Sequence, residues 1–364
     1  MRFEYRCLAL ASVAAGALGS ILLGSSLAAQ ERPLPMGRSI GAACTRSVTV
    51  PAPAGAPGPG AGPARAPGQG PPGAGPGAGP GAAVGQGPPP FASNLTPAEA
   101  TKLVKVRDDV YAVVNVNNAV LPDIPLFGGN VGIYLTDGGV VLVDSKNERM
   151  HDDLVAKVRS LTNAPISYVV LTHNHADHSA GAAQLRALGA TVIMSTADRK
   201  RMGGVNDPGL PQVGYDGHAE IVLGGKRVEL LEFCGHTSGD TVVYLPDARV
   251  VIAGDLVATP DSIPQVTNYA DGGSWTDMVR SLDTLAQLDF DFMIAGHGPV
   301  LTKREFLAHR DKMAALRTRA EQLVRAHKSQ SEIAQALAAE FNWGVGPGLA
   351  AGNIAGMLVE FAGD

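Results

Sequence analysis

The segment His173-Asn174-His175-Ala176-Asp177-His178 places three imidazoles and one carboxylate within six consecutive positions. The chain has only 9 histidines in 364 residues, so a chance histidine-rich surface loop is the weaker interpretation. The segment directly follows the apolar run 166–172, which predicts a buried strand that ends where the cluster begins. Imidazole and carboxylate groups are the ligands that zinc and similar divalent cations prefer in proteins. The sequence therefore predicts a metal site on a loop at the carboxyl end of a strand.

Residues 1–29 have the composition of a secretion signal peptide. A short basic start precedes the apolar, small-residue stretch 8–27, and the small residues at 26–29 suit cleavage. A retained membrane anchor is the alternative, because the stretch is nearly long enough to span a bilayer. We therefore expect an exported protein, periplasmic or extracellular, that contacts the membrane only if this segment is uncleaved.

Residues 30–94 are predicted to be a disordered linker. Pro, Gly and Ala dominate the stretch 51–90, and Gly does not recur at every third position as a collagen helix requires. Such a composition cannot bury enough apolar surface to fold. The remaining chain predicts one α/β domain over 95–302 and a helical C-terminal extension over 303–364, beginning with a basic helix at 303–328.

The net charge of −5 argues against a nucleic-acid partner, because no basic stripe is available to bind phosphates. The three cysteines are widely separated and predict no disulfide framework. Cys7 lies in the signal segment and Cys44 in the linker. Cys234 lies near the predicted site, where we expect a buried structural thiol rather than a metal ligand.

Short β-rich runs alternate with amphipathic helical stretches in the folded part. Two mixed sheets packed face to face with helices outside suit this order, although periodicity alone does not determine the strand pairing. The predicted strands are 110–116, 131–136, 140–144, 166–171, 191–195, 220–223, 227–232, 242–245, 250–253 and 292–294, and the predicted helices before the extension are 150–161, 181–188 and 274–288.

Three further motifs place candidate metal ligands just beyond predicted strands. The sequences are Cys234-Gly235-His236-Thr237-Ser238-Gly239-Asp240, Ala253-Gly254-Asp255 and Ala295-Gly296-His297-Gly298. Each motif pairs a candidate ligand with glycine, which lets the backbone approach a crowded centre closely. Each is a weak signal alone, but together with the first cluster they indicate one metal centre.

The four motifs H-x-H-x-D-H, G-H-T-x-G-D, A-G-D and G-H-G resemble those of the metallo-β-lactamase superfamily over residues 100–300. The resemblance implies an α/β (α+β) fold, a four-layer αββα sandwich with the metals along one edge between the sheets. It also implies two Zn2+ ions, with iron or manganese as alternative metals. By motif, His173, His175 and His236 would bind the first ion, Asp177, His178 and His297 the second, and Asp255 would bridge both.

A pair of divalent ions explains why such a ligand set would be catalytic. Together they lower the pKa of a shared bridging water toward neutrality and polarise a scissile carbonyl. Asp177 is the expected catalytic residue, because it would both bind a metal and orient the hydroxide. Asp144, at the end of its strand, either hydrogen-bonds a ligand imidazole or merely caps the strand. The apolar residues of 117–130 either cover a substrate or pack on the core.

The expected function is an exported dinuclear zinc hydrolase that uses a metal-bridging hydroxide to cleave an ester, thioester, lactone or amide-type bond of a small molecule. A β-lactam-hydrolysing enzyme is one alternative, but Asp255 resembles glyoxalase II and related hydrolases, whereas zinc β-lactamases commonly carry Cys or Ser there. A mononuclear iron persulfide dioxygenase is another, and retention of His178 and His297 counts against it. The non-enzyme alternative is a metal-sequestering binding protein.

Overall fold

The computed structural model describes residues 95–116, 127–258, 264–344 and 347–362. The signal segment 1–29, the linker 30–94 and residues 117–126 of the predicted loop lie outside the described residues, as do Cys7 and Cys44. Within the described ranges, no helix is both long and apolar enough to cross a membrane.

The first sheet contains seven strands that lie side by side in chain order. Neighbouring strands from the first to the fourth are antiparallel, and those from the fourth to the seventh are parallel. The strands are β1 (Thr101–Lys105), β2 (Val110–Asn115), β3 (Val131–Thr136), β4 (Gly139–Val143), β5 (Ile166–Val170), β6 (Thr191–Ser195) and β7 (Val213–Tyr215).

The second sheet contains six strands in reverse chain order, β13-β12-β11-β10-β9-β8. Only the pairing of β11 with β12 is parallel, so this sheet is mixed as well. The strands are β8 (His218–Leu223), β9 (Lys226–Phe233), β10 (Asp240–Leu245), β11 (Val250–Gly254), β12 (Phe292–Ala295) and β13 (Leu301–Thr302).

Helices cover the outer faces of the sheets and form the C-terminal region. Two of the C-terminal helices begin with a capping box, Thr302 with Glu305 and Ser329 with Glu332, which satisfies the first backbone amides of each helix. The helices are α1 (Pro97–Ala100), α2 (His151–Leu161), α3 (Ala176–Ser179), α4 (Ala182–Ala187), α5 (Thr196–Arg199), α6 (Trp275–Leu285), α7 (Lys303–Arg325), α8 (Gln330–Phe341) and α9 (Pro347–Phe361), with short 3-10 helices at Glu148–Met150 and Tyr269–Asp271.

The alternation of side chains along β4 shows how the layers form. Val141 and Val143 pack in the core between the two sheets, together with residues of β9, β10 and β11. Val140 and Leu142 point the other way and pack beneath α2 and α4. Because successive side chains of a strand face opposite sides, an uninterrupted apolar run is buried on both faces. The predicted four-layer αββα sandwich with a C-terminal helical region is confirmed.

The long, strongly patterned elements were predicted correctly, whereas the short ones were missed. Strands β1, β7 and β13 were not predicted, because five or fewer residues at a sheet edge give little periodicity. The helix predicted over 303–328 ends at Arg325. The predicted metal loop includes a short helix, α3, which carries Asp177 and His178.

One buried histidine in the C-terminal region lies outside every predicted motif. His309 lies on the buried face of α7 between Phe306 and Met313. Its side chain is 2% exposed, and neither ring nitrogen has a hydrogen-bond partner among the described residues. Burial lowers the pKa of His309 from 6.5 to about 4. A buried polar group without a partner destabilises the folded state by on the order of 1–3 kcal/mol.

We therefore expect His309→Leu to raise the melting temperature, and more so at pH 5 than at pH 7. Between pH 6.5 and about 4 the unfolded chain binds a proton that the folded His309 does not, so wild-type stability is lost as the pH falls. Thermal denaturation with a chelator present, at both pH values, measures the difference. His218→Leu, at an exposed position of β8, is the matched control. A lower melting temperature for His309→Leu would contradict the assignment.

Candidate metal centre

The predicted ligands follow the carboxyl ends of strands from both sheets. His173 and His175 lie on the loop after β5, and His236 follows β9. Asp255 follows β11 directly, and His297 lies two residues beyond β12. β5 belongs to the first sheet and the other three strands to the second, so the site lies at one edge of the sandwich, between the sheets.

The side chains form two groups that share one carboxylate. One potential ligand atom from each member lies within 4.8 Å of the others in its group. The first group is His173, His175, His236 and Asp255, and the second is Asp177, His178, Asp255 and His297. These are the seven residues that the motifs indicated.

The second group has the dimensions of a tetrahedral ligand set. His178 Nε2 lies 3.2 Å from His297 Nε2, 3.5 Å from Asp177 Oδ2 and 3.2 Å from Asp255 Oδ1. His297 Nε2 lies 3.3 Å from each of the same two carboxylate oxygens. Tetrahedral zinc with bonds of roughly 2.0–2.1 Å separates its ligand atoms by about 3.3–3.4 Å. The residues present therefore fit a divalent ion such as zinc.

The first group also brings ring nitrogens and a carboxylate oxygen close together. His236 Nε2 lies 3.0 Å from His175 Nδ1 and 3.7 Å from Asp255 Oδ2. Asp255 thus directs Oδ2 toward the first group and Oδ1 toward the second. Two buried atoms, His173 Nε2 and Asp255 Oδ1, make no hydrogen bond to any described residue. Orphaned acceptors are costly when buried, and a cation in each group would satisfy them, His173 Nε2 in the first and Asp255 Oδ1 in the second.

Asp144 fixes the tautomers of two of these histidines. Its Oδ2 accepts hydrogen bonds from His178 Nδ1 at 2.8 Å and from the Thr172 hydroxyl at 2.8 Å. Because that hydroxyl donates to Asp144, it accepts from His173 Nδ1, 3.0 Å away. Both imidazoles therefore carry a proton on Nδ1 and direct Nε2 into the site. Asp144 itself has a φ of +70°, a backbone conformation that is strained for a non-glycine residue.

The other two histidines of the first group are oriented by the segment before α6. His236 Nδ1 donates to the Val266 carbonyl at 2.9 Å, which leaves Nε2 as the acceptor in the site. His175 Nε2 lies 3.0 Å from Asp271 Oδ2 and 2.8 Å from Asn268 Nδ2, and these contacts direct Nδ1 of the same ring toward His236. The arrangement of His236, in which the remote ring nitrogen donates to an oxygen, is typical of metal-binding histidines.

The electrostatics of the two groups differ. Burial lowers the pKa of His236 to about 4 and that of His173 well below its usual range, so both imidazoles are neutral. Burial alone would raise the pKa of Asp255, but His297 and His178 outweigh it and hold that pKa well below its usual value. The first group therefore contains two neutral imidazoles beside an ionised carboxylate. In the second group burial alone would lower the pKa values of His178 and His297, but the carboxylates of Asp255 and Asp177 outweigh it and raise both, so a bound metal would have to displace protons from these two rings.

Gly296, in the Ala295-Gly296-His297-Gly298 motif, lets the backbone approach Asp255 closely, as the sequence predicted. A Cβ atom on Gly296 would lie 2.0 Å from Asp255 Oδ1 and 2.6 Å from the carbonyl carbon of Gly254. No side chain fits there without moving the carboxylate or the backbone, so glycine is required at this position.

Part of the site is exposed to solvent. The side chains of His175, Asp177 and Asp255 are 25%, 19% and 13% exposed, whereas those of His178 and His236 are at most 4% exposed. A small molecule or a water would therefore approach over His175 and the two carboxylates.

Sequence reasoning missed several supporting residues. Thr172, Asn268 and Asp271 carry no motif signal, because their roles depend on which chain segments meet. Lys146 is also buried, and its Nζ donates to the Gly129 carbonyl at 2.6 Å and to Asn115 Oδ1 at 2.9 Å. Burial lowers the pKa of Lys146 to about 7.

Cys234 and Phe127 lie near the site and differ from what their sequence context led us to expect or left open. Cys234 is buried, but it takes part in a disulfide, so the expectation of a structural thiol was wrong. It belongs to neither group of candidate ligands, as expected. Phe127, in the described part of the predicted loop, packs with Ala100 and Met150 in a small core cluster rather than over a substrate.

Comparison with known proteins agrees with this architecture. The family described as the metallo-beta-lactamase superfamily matches residues 124–297. A hydroxyacylglutathione hydrolase of Acidiphilium cryptum is 30% identical over 203 residues, 54% of this chain and 76% of the relative. A metallo-beta-lactamase type 2 of Bacillus cereus is 26% identical over 231 residues, 58% of this chain and 88% of the relative.

Among solved structures, a metallo-beta-lactamase from Pontibacter korlensis shares the fold. Its TM-score is 0.51 at 20% identity, over 59% of this chain and 99% of that one. The family match and the 30% identical relative establish the relationship. The chain belongs to the metallo-β-lactamase superfamily of metal-dependent hydrolases.

Proposed function

We propose that the protein is an exported dinuclear zinc hydrolase that cleaves an ester, thioester, lactone or amide-type bond of a small molecule. The observation that carries the proposal is the pair of ligand groups that meet at Asp255. Nitrogen and oxygen donors at near-tetrahedral separations suit zinc, with iron or manganese as alternatives. The apolar, small-residue stretch 8–27 after a basic start supports export to the periplasm or beyond.

The proposed ligands divide between the two ions. His173, His175 and His236 would hold the first ion, and Asp177, His178 and His297 the second. Asp255 would bridge them, since its two oxygens face the two groups. When bound, such ions acidify a coordinated water and polarise the carbonyl of a substrate.

Asp177 is the proposed catalytic residue. His178 and His297 lower its pKa despite its burial, so the carboxylate is ionised. Its Oδ2 lies 3.3 Å from His297 Nε2, and its side chain remains 19% exposed. An ionised carboxylate at the open side of the site can orient a water and accept its proton.

A β-lactam hydrolase is the second candidate, favoured by the relationship to a metallo-beta-lactamase of Bacillus cereus. Asp255 disfavours this candidate, because zinc β-lactamases commonly carry Cys or Ser at the position of this residue. The relationship to a hydroxyacylglutathione hydrolase favours thioesters among the substrates of the first candidate.

Purified protein should contain about two zinc equivalents per chain, because the two groups provide two ligand sets. Elemental analysis measures the metal, and chromogenic esters, thioesters, lactones and β-lactams tested on the same samples measure the activity. A single iron per chain, without hydrolysis of any of these chromogenic substrates, would favour the dioxygenase alternative. Two zinc ions without turnover would favour metal sequestration.

Asp255→Ala should lose one or both metal equivalents and reduce kcat/KM by at least about 100-fold, since no other residue in the described part of the chain belongs to both groups. Asp247→Ala is the matched control, because Asp247 is exposed and precedes β11 whereas Asp255 follows it. Elemental analysis and steady-state kinetics test both variants. Full metal content and near-normal activity in Asp255→Ala would refute the bridging role.

Asp144→Asn should lower zinc affinity by about 10–100-fold, because the carboxylate accepts at both oxygens, from Thr172 N at Oδ1 and from His178 Nδ1 at Oδ2, whereas the amide can accept at only one of these positions. Competition with a chromogenic chelator measures the affinity, and circular dichroism verifies folding. Asp137→Asn, at the exposed turn before β4, is the control. Unchanged affinity in Asp144→Asn would show that Asp144 only caps its strand.

A further inference from the structure

The segment 265–276, hereafter the positioning segment, lies directly behind the first group of ligands. The Val266 carbonyl accepts from His236 Nδ1 at 2.9 Å, and Asn268 N donates to the His236 carbonyl at 2.7 Å. Asp271 Oδ2 lies 3.0 Å from His175 Nε2. The orientation of both imidazoles therefore depends on where this segment lies.

Only short 3-10 structure and the start of α6 are regular within the positioning segment, and no residue of it belongs to either sheet. Its position is therefore not fixed by strand pairing. Gln265 connects it to the site as well, because its side chain donates to the Asp255 carbonyl at 2.7 Å and accepts from Ala258 N at 2.7 Å. The contacts on its other side determine how firmly it is held.

Trp343, Asn353 and Glu360, all in the C-terminal region, supply those contacts. Trp343 Nε1 donates to the Gln265 carbonyl at 2.8 Å, and Asn353 Oδ1 accepts from Thr267 N at 3.0 Å. These two bonds fix the residues on either side of Val266, whose carbonyl orients His236. Asn353 Oδ1 also accepts from Trp275 Nε1 at 3.3 Å.

Glu360 holds the other end of the positioning segment. Its carboxylate is buried and accepts from the Tyr269 hydroxyl at 2.6 Å and the Ser274 hydroxyl at 2.9 Å. It also accepts from the backbone amides of Trp275 at 3.1 Å and Thr276 at 2.7 Å, at the start of α6. Charge-assisted bonds at a helix N-terminus are among the stronger polar contacts in proteins.

The packing of α9 is matched to the same segment. A Cβ atom on Gly356 would lie 2.0 Å from the ring of Tyr269, so only glycine lets this ring lie against the helix. Trp275 is fully buried, and its ring centroid lies 6.3 Å from that of Trp343. The C-terminal region thus contacts the positioning segment through both polar and apolar groups.

We propose that Trp343, Asn353 and Glu360 are positioning residues that set the metal affinity of the first ligand group by holding the segment behind His175 and His236. The inference rests on the proposed function, since it concerns the metal held by that group. It assigns the C-terminal helices a role in the site itself rather than in the stability of the domain alone. By linkage, metal binding must stabilise the docking of α9 to the same extent.

The test compares zinc affinities of Asn353→Ala and Asn353→Asp, measured by competition with a chromogenic chelator. Asn353→Ala removes the acceptor for Thr267 N and should weaken one of the two zinc equivalents by about 10–100-fold. Asn353→Asp keeps the acceptor oxygen and should restore most of the affinity. Glu340→Gln is the control, because Glu340 pairs with Arg319 between α7 and α8, within the same C-terminal region.

The melting temperature of the metal-free protein shows whether each variant is folded. For a folded variant, the zinc affinity then separates a positioning role from a merely structural one. If Asn353→Ala is folded but binds both zinc equivalents as the wild type does, the inference is wrong. If Asn353→Ala does not fold, Glu360→Gln is measured in the same way, with the same expected loss. A wild-type protein that binds no zinc would instead refute the proposed function.

Hydrogen exchange supplies a second readout that does not depend on activity. Chelating the metal should speed amide exchange in α9 (Pro347–Phe361) of the wild type but change little in α4 (Ala182–Ala187), beneath the first sheet. Equal exchange in α9 with and without zinc would contradict the coupling.

Discussion

The convergence of carboxylate oxygens and imidazole nitrogens at the edge of the sandwich is the constraint on which the rest of the site depends. His178 and His173 both direct Nε2 toward the site, because their Nδ1 atoms donate hydrogen bonds that lead to Asp144, directly from His178 and through the Thr172 hydroxyl from His173. Neighbouring acceptors repel each other in a buried site unless a cation lies between them. The protein holds them in place with a framework of strand ends and hydrogen bonds that must be rigid enough to resist this repulsion.

That framework has two halves, one for each sheet. On the first sheet, Asp144 follows β4 and reaches both His178 and Thr172, so one carboxylate at a strained backbone position orients two imidazoles. On the second sheet, β11 ends at Gly254, so that Asp255 lies between the two groups. Each half contributes ligands to a centre that neither sheet could build alone.

The histidines of the first group depend on contacts that neither sheet supplies. His236 and His175 are oriented by Val266 and Asp271, which lie in a segment outside both sheets. The C-terminal helices hold this segment through Asn353 and Glu360. The C-terminal helices, predicted only as an extension, therefore reach the candidate metal centre through two successive hydrogen bonds.

The sequence by itself determined the candidate ligands and the layers of the fold. The histidine cluster and the three glycine-containing motifs are local patterns, and apolar runs such as β4 and β5 predict buried strands because period and composition are local properties. The tertiary structure decided which ring nitrogen of His178 and His173 faces the site, that Thr172 and Asp271 support it, and that Glu360 lies behind α6. Those features depend on contacts between residues up to 96 positions apart in the chain, as between His175 and Asp271, which no local pattern encodes.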